Sequence, residues 1–139
     1  MSRNTYRLSF HVTHPSLTAD AIRQEVKLPV AYAQSVGLPR ATPRGNPLDG
    51  VYKVTNVHFA AHDKPLEFAQ ESFREVLKGV LSAMESDFPQ RVAESGGATH
   101  VLVGLYSDES LLLELPPEVL HELATRKIGL KMDFYGGEE

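Results

Sequence analysis

Two histidines and an aspartate lie within a six-residue stretch in the middle of the chain: His58, His62 and Asp63. Two imidazoles and a carboxylate are ligands that zinc and other divalent transition metals accept. Their spacing would suit one face of a helix, but Pro65 indicates that the nearest helix begins after them. In a loop such side chains need not converge. The sequence therefore leaves two roles open, a metal site serving a metal-dependent hydrolase and ordinary surface or turn-capping positions.

An arginine-bearing loop is the second place where the residue types suggest binding. Residues 38–50 contain three prolines and two glycines, a composition typical of loops. Within this segment Arg40 and Arg44 could bind an anion or a small ligand together with the backbone amides around Gly45. The Gly-x-x-x-x-Gly-Lys signature is missing from it, so nothing favours nucleotide hydrolysis. The alternative is a mobile loop that carries solvated arginines.

Three polar residues, Lys131, Asp133 and Tyr135, share one side of the last predicted strand. Such a row could take part in ligand binding or acid–base chemistry, or it could form a polar ladder on a solvent-facing sheet. They alternate with three apolar residues that are predicted to face the core: Leu130, Met132 and Phe134. No serine lies in a nucleophile-elbow pattern, so the sequence offers no catalytic triad.

The remaining histidines on predicted strands are interpreted structurally. His11 and His14 are three residues apart at a strand end, and they should project to opposite faces. His100 lies among valines and leucines, and it is predicted to be a hydrogen-bonded core residue. No cofactor is indicated by any of these patterns.

Composition narrows the class of protein. The chain has 139 residues, which suits one domain, and no cysteine, which excludes disulfides and thiolate metal sites. Its net charge is −4, divided as +4 over residues 1–53 and −8 over residues 54–139. A nucleic-acid partner would need a clustered basic face, and a membrane span would need about 20 apolar residues; neither is expected. The first residues show no apolar signal core, so we expect a cytoplasmic protein.

Hydrophobic periodicity predicts the elements that position these residues. Alternation of apolar and polar residues predicts strands, and apolar positions three and four apart predict helices. The clearest helix is 66–85, and Thr18 is a predicted N-cap. The predicted strands are 6–12, 30–36, 51–57, 99–106, 111–115 and 130–135, with further helices at 18–27 and 117–126 and a helix stop at Gly129.

The order of elements indicates an α+β fold. The first six elements match a ferredoxin-like β-α-β-β-α-β core, and a final β-α-β unit would extend the same sheet. We therefore predict a single domain, 1–139, in which helices cover one face of a largely antiparallel sheet.

Several of these segments resemble the domain-of-unknown-function 4279 family of small bacterial proteins. The resemblance lies in the first strand and helix ending at Leu28-Pro29, the proline-glycine-arginine loop, the helix at 66–84, and a closing helix and strand that end with Asp133 and Tyr135. Two positions differ from that pattern: Tyr52 stands where tryptophan is common, and Pro116-Pro117 replaces a serine-type helix cap. The resemblance implies the fold and brings no known activity.

Three functions follow as hypotheses. The first is a non-catalytic interaction domain that binds another protein or itself, and an immunity-type partner of a basic protein is one form of it. The alternative is a small-molecule or anion-binding domain that uses the 38–50 loop and the exposed sheet face. The third is a metal-dependent hydrolase centred on His58, His62 and Asp63.

Overall fold

The fold is an α+β arrangement of eight strands and four helices in the computed structural model, which describes residues 4–136. In chain order the elements are β1 (Asn4–His14), α1 (Ala19–Arg23), β2 (Val30–Gln34), β3 (Pro39–Ala41), β4 (Pro47–Val51), β5 (Thr55–Ala60), β6 (Leu66–Glu67), α2 (Gln70–Ser82), α3 (Phe88–Glu94), β7 (Ala98–Ser107), α4 (Pro117–Thr125) and β8 (Ile128–Gly136).

The main sheet has the strand order β2-β5-β1-β7-β8, with the short strand β6 also paired to β1. All neighbours are antiparallel except β7 and β8, which run parallel. The parallel pair follows from the connection, because α4 crosses over between the two strands. The predicted α+β class and the largely antiparallel sheet are therefore confirmed.

One face of the sheet, which we call the covered face, carries the hydrophobic core. Every second residue of β1 is buried on this face, from Tyr6 to His14, as the alternating sequence predicts. The helices pack their apolar sides onto it, with Ile22 from α1, Phe73 from α2 and Leu123 from α4 in one continuous cluster. The other face, which we call the open face, presents the residues between them, such as Arg7 and His11, and these are half-buried.

The first two helices begin close to where the sequence suggests. Thr18 is the N-cap of α1, and its hydroxyl accepts a hydrogen bond from the backbone N–H of Ala21 at 3.2 Å. Helix α2 begins four residues later than predicted, because Leu66–Glu67 pairs with β1 as β6. The backbone N–H of Phe68 also donates to the backbone C=O of Asn4 at 2.7 Å, so residues 66–68 are paired with β1 and the helix begins after them.

Within residues 4–136 no helix combines the length and apolar character needed to cross a membrane.

The predicted loop at 38–50 is wrong on both sides of its middle, because residues 39–41 and 47–50 are strands and only the turn between them is a loop. The segment forms a hairpin of β3 and β4, closed by a turn in which the backbone N–H of Gly45 bonds to Thr42 at 2.8 Å. The phenol of Tyr52 holds the hairpin by bonding to the backbone N–H and C=O of Ala41, both at 3.2 Å. Because β4 ends at Val51, the strand predicted at 51–57 begins only at Thr55 as β5.

The predicted strand at 111–115 is also wrong. This segment pairs with no strand of the described chain. Leu111, Leu113 and Leu115 pack half-buried against the core, whereas Leu112 is exposed. The Gln70 side chain replaces a ladder partner: it accepts from the backbone N–H of Glu114 at 3.1 Å and donates to its C=O at 2.5 Å. The alternation of apolar and polar residues in this segment therefore corresponds to alternate burial of its side chains, without pairing to a neighbouring strand.

The closing helix and strand are confirmed, with two differences in detail. The residue that ends α4 in a left-handed conformation is Lys127, with φ 66°, and Gly129 lies inside β8 instead. The predicted inward side of β8 is only partly covered. Leu130 is half-buried, but Met132 is 39% exposed and Phe134 is 68% exposed, because α4 is short and β8 is the last strand of the sheet.

Candidate functional site

The open face gathers three histidines from strands far apart in the chain. His11 on β1 lies directly opposite His58 on β5 and His100 on β7. The rings of His11 and His58 are stacked, with centroids 3.8 Å apart and planes at 7°, and the His100 ring is 4.7 Å from that of His11. Tyr32 on β2 continues the line, 5.3 Å from His58. We call His58, His11 and His100 the histidine row.

Burial makes the histidine row electrically neutral at neutral pH. The pKa of His11 falls from 6.5 to about 3, first because the ring loses water and then because His58, His100 and Lys131 bring positive charge close to it. Loss of solvation likewise lowers the pKa of His58 and of His100. A general base works best with a pKa near the operating pH. The pKa of His11 is far below that range, so His11 is poorly suited to acid–base catalysis.

The geometry of the row does not favour a metal centre. Imidazole lone pairs lie in the ring plane, so the nearly parallel rings of His11 and His58 do not aim at one point. The Nε2 atom of His11 is instead 2.9 Å from the hydroxyl of Ser9. Over residues 4–136 no group of three or more histidine, aspartate or glutamate side chains is placed to hold a metal ion.

The three residues considered for a metal site from the sequence are not brought together. His58 belongs to the histidine row, whereas His62 has both ring nitrogens engaged by backbone groups. Its Nε2 accepts from the N–H of Leu8 at 3.1 Å, and its Nδ1 donates to the C=O of Lys64 at 2.6 Å. Asp63 contributes its backbone C=O to the Arg7 guanidinium at 3.4 Å. His62 thus fills a gap in the pairing of β1, which is a structural role.

Lys131, Asp133 and Tyr135 do share the open-face side of β8. The phenol of Tyr135 donates to the Asp133 carboxylate at 3.2 Å, and its ring stacks on Tyr106 of β7 at 4.8 Å. The carboxylate raises the pKa of Tyr135, so the phenol keeps its proton at neutral pH. Lys131 lies toward the other end, where its charge lowers the pKa of His11 and His100. This arrangement matches a polar ladder on an exposed strand.

The two loop arginines lie in different parts of the β3–β4 hairpin. Arg40 donates to the backbone C=O of Asp49 at 3.0 Å, which ties the two hairpin strands together. It also lines a surface hollow of about 530 Å³ together with Lys53, whereas Arg44 is exposed in the turn and does not line that hollow. The anion site predicted from Arg40 and Arg44 is therefore not assembled as a pair.

Sequence reasoning did not anticipate the histidine row or the uncovered side of β8. His100 was predicted to lie in the core, but it is half-buried on the open face. Met132 and Phe134, also predicted as core residues, are exposed on the outermost strand. The exposed residues of β8 therefore form a surface with an apolar side, Met132 and Phe134, and a polar side, Lys131, Asp133 and Tyr135.

Comparison with known proteins identifies no similar protein. No protein-family model matches the chain, and no curated protein or solved structure matches it either.

Proposed function

We propose that this chain is a non-catalytic protein-interaction domain that binds its partner through β8. The observation that carries the proposal is the state of that strand: it is the last of the sheet, and Met132, Phe134 and Tyr135 are 39%, 68% and 49% exposed. Free N–H and C=O groups along a sheet edge give affinity for an added strand, and side chains on both faces give specificity.

The chemistry of the open face supports the same proposal. The histidine row is neutral and stacked, and Tyr135 is held protonated by its neighbour. The pKa of His11 is too low and that of Tyr135 is raised, so neither residue suits acid–base catalysis at neutral pH. A cytoplasmic location and an immunity-type partner of basic character remain part of the proposal, the latter because residues 54–139 carry a net charge of −8.

The fold proposal is a ferredoxin-like core extended by one strand. It is supported by the order β2-β5-β1-β7, in which all neighbours are antiparallel, with β8 added beyond β7. Membership of the domain-of-unknown-function 4279 family is likewise proposed, on the sequence motifs described above.

Affinity capture with matched variants tests the proposed function. The bait is the tagged chain in three forms: wild type, Phe134→Lys, and Leu38→Lys as a control at an exposed leucine of the hairpin. The Phe134→Lys change removes the most exposed apolar side chain of β8 and adds a second lysine beside Lys131, which should weaken the addition of a strand. We expect partners, including untagged copies of the chain, to be retained by wild type and control and lost from Phe134→Lys. Identical capture by all three forms would rule out β8 as the binding surface.

A small-molecule or anion-binding domain is the second candidate, favoured by the hollow beside Arg40 and Lys53. Thermal shift with inorganic phosphate and citrate tests it, because a ligand at 100 times its dissociation constant stabilises the folded state by about 2.7 kcal/mol. Stabilisation should disappear in Arg40→Gln and persist in Arg44→Gln. Equal shifts in both variants would exclude the hollow as the site.

A further inference from the structure

Strand β8 is a long sheet edge that is neither shortened, kinked nor covered, and its charged residues are one lysine and one aspartate, Lys131 and Asp133. Its register with β7 runs unbroken over nine residue pairs. It contains no proline, and every residue from 131 to 136 is exposed. Natural sheets usually shorten, kink or cover such an edge because its free backbone groups pair with other strands. The opposite edge, β2, follows that rule, since it has five residues and a register shift.

We propose that β8 pairs with β8 of a second copy of this chain, antiparallel and across a two-fold axis at Met132. The inference rests on the proposed function and names the partner of that surface. In an antiparallel pair, opposite residues point to the same face, and successive residues alternate faces. A two-fold axis perpendicular to the sheet must therefore lie midway between the two copies of one residue, and residues equally far from that residue on either side lie opposite each other.

The charges of β8 select Met132 as that residue. Lys131 and Asp133 are the charged residues of the strand, and both lie on the open face. With the axis at Met132, Lys131 of each copy lies opposite Asp133 of the other, which gives two favourable cross-strand pairs. An axis at Lys131 or Asp133 would place like charges opposite each other, which is unfavourable. Axes nearer either end of the strand would shorten the ladder.

The same register also matches the uncharged residues. On the covered face, the exposed Phe134 lies opposite Leu130 of the second copy, and Met132 lies opposite its own equivalent. On the open face, Tyr135 lies opposite Gly129, where the missing side chain leaves room for the phenol ring to cover the neighbouring backbone. Over residues 130–134, apolar residues therefore meet apolar residues and opposite charges meet.

Single cysteines can test the register directly, because the natural chain contains none. Residues directly opposite in an antiparallel pair have Cα atoms about 5 Å apart, within the reach of a disulfide. On oxidation, the Met132→Cys variant should form covalent dimers at least about tenfold faster than the Phe134→Cys variant, whose two sulfurs would lie about 14 Å apart. A mixture of Leu130→Cys and Phe134→Cys should cross-link to each other. Faster dimerisation of Phe134→Cys than of Met132→Cys would overturn the register.

Charge exchange gives an independent test in solution. Sedimentation velocity at low ionic strength should show dimers of the wild-type chain. In Lys131→Asp alone or Asp133→Lys alone, the dissociation constant of the dimer should be about tenfold larger. The double exchange should restore dimers, and so should a mixture of the two single variants, because both recreate opposite-charge pairs. Circular dichroism checks that each exposed substitution leaves the fold intact. A dissociation constant that is unchanged in both single variants would overturn the proposed pairing.

The outcomes separate this inference from the proposed function. A wild-type chain that stays monomeric at every concentration overturns the inference. The proposed function would still stand in that case if another protein were captured by wild type and lost from Phe134→Lys. Loss of both self-association and β8-dependent capture would remove the function as well.

Discussion

Two histidines three residues apart on β1 show how differently the two sides of the sheet are built. His14, on the covered face, is 1% exposed, and both its ring nitrogens have hydrogen-bond partners. His11, on the open face, is half-buried and lies between two other imidazoles. Burial lowers the pKa of both residues. The same residue type therefore holds the fold together on one face and lines a neutral surface on the other.

The hydrogen bonds of His14 explain its structural role. Its Nδ1 atom accepts from the backbone N–H groups of Ser16 and Leu17 at 3.0 and 2.9 Å. The proton must therefore be on Nε2, which donates to the hydroxyl of Ser95 at 2.8 Å. Ser95 in turn donates to the C=O of Arg91 in α3 at 2.8 Å. This chain of bonds joins the end of β1 to the end of α3, and it leaves no ring nitrogen for chemistry.

The largest expected effect concerns the packing around His14. A Cβ atom on Gly97 would lie 2.4 Å from the carbonyl oxygen of Thr13 and 2.8 Å from both a His14 ring carbon and a Val92 methyl. Gly97→Ala should therefore lower the free energy of unfolding by about 3 kcal/mol, measured by urea denaturation.

The control is a glycine with free space around it. Gly79 lies inside α2 with no atom within 4 Å of its would-be Cβ. Gly79→Ala should raise the free energy of unfolding by about 1 kcal/mol, because alanine favours the helix. Equal and small effects at the two glycines would mean that the region around His14 is not tightly packed.

The second expected effect compares the histidines themselves. His14→Ala removes the acceptor of two backbone N–H groups and leaves a cavity, so it should lower the free energy of unfolding by about 3 kcal/mol. His11→Ala should cost less than about 1 kcal/mol, because the ring is half-buried and within residues 4–136 its hydrogen-bond partner is the hydroxyl of Ser9. Urea denaturation of both variants at pH 7.5 gives the comparison. A larger loss at His11 would contradict the structural assignment of the two faces.

The sequence could predict which face each histidine of β1 occupies but not which residues surround it. Alternation along β1 separates His11 from His14, and the structure agrees. The histidine row depends on the register of β1 with β5 and β7, and those strands lie about 50 and 90 residues further along the chain. The apolar neighbours of His100 suggested the core, yet its register opposite His11 places it on the open face.

The sequence could not predict the exposure of Phe134, for a related reason. The alternation of Phe134 with Asp133 and Tyr135 correctly predicts that Phe134 lies on the covered face of β8. Whether that side is covered depends on how far α4 reaches and on the position of β8 at the end of the sheet. Those are properties of the tertiary arrangement. The β3–β4 hairpin was missed because its three prolines and two glycines dominate the local composition.

The smallest expected effect is a pH dependence that belongs to the open face. The pKa of His11 is about 3 in the folded chain and 6.5 in its ordinary state, so the unfolded chain binds more protons between these values. Stability is therefore fully present above pH 6.5 and falls as the pH drops through this window. His58 and His100 shift in the same direction. Solvent screening of these half-buried rings should keep the loss from each of them below about 1 kcal/mol at pH 5.5.

Urea denaturation at pH 7.5 and at pH 5.5 can assign this pH dependence to one face of the sheet. Ordinary carboxylates stay ionised over this range. The double variant His11→Asn, His58→Asn should lose less stability than wild type over this interval. His121→Asn, at an exposed histidine of α4, should behave as wild type. His14 is also shifted downward by burial, so it would produce the same sign from the covered face. A pH dependence that survives the double variant unchanged would assign it to His14 and to His100, which the double variant leaves in place, and it would contradict the expected contribution of His11 and His58.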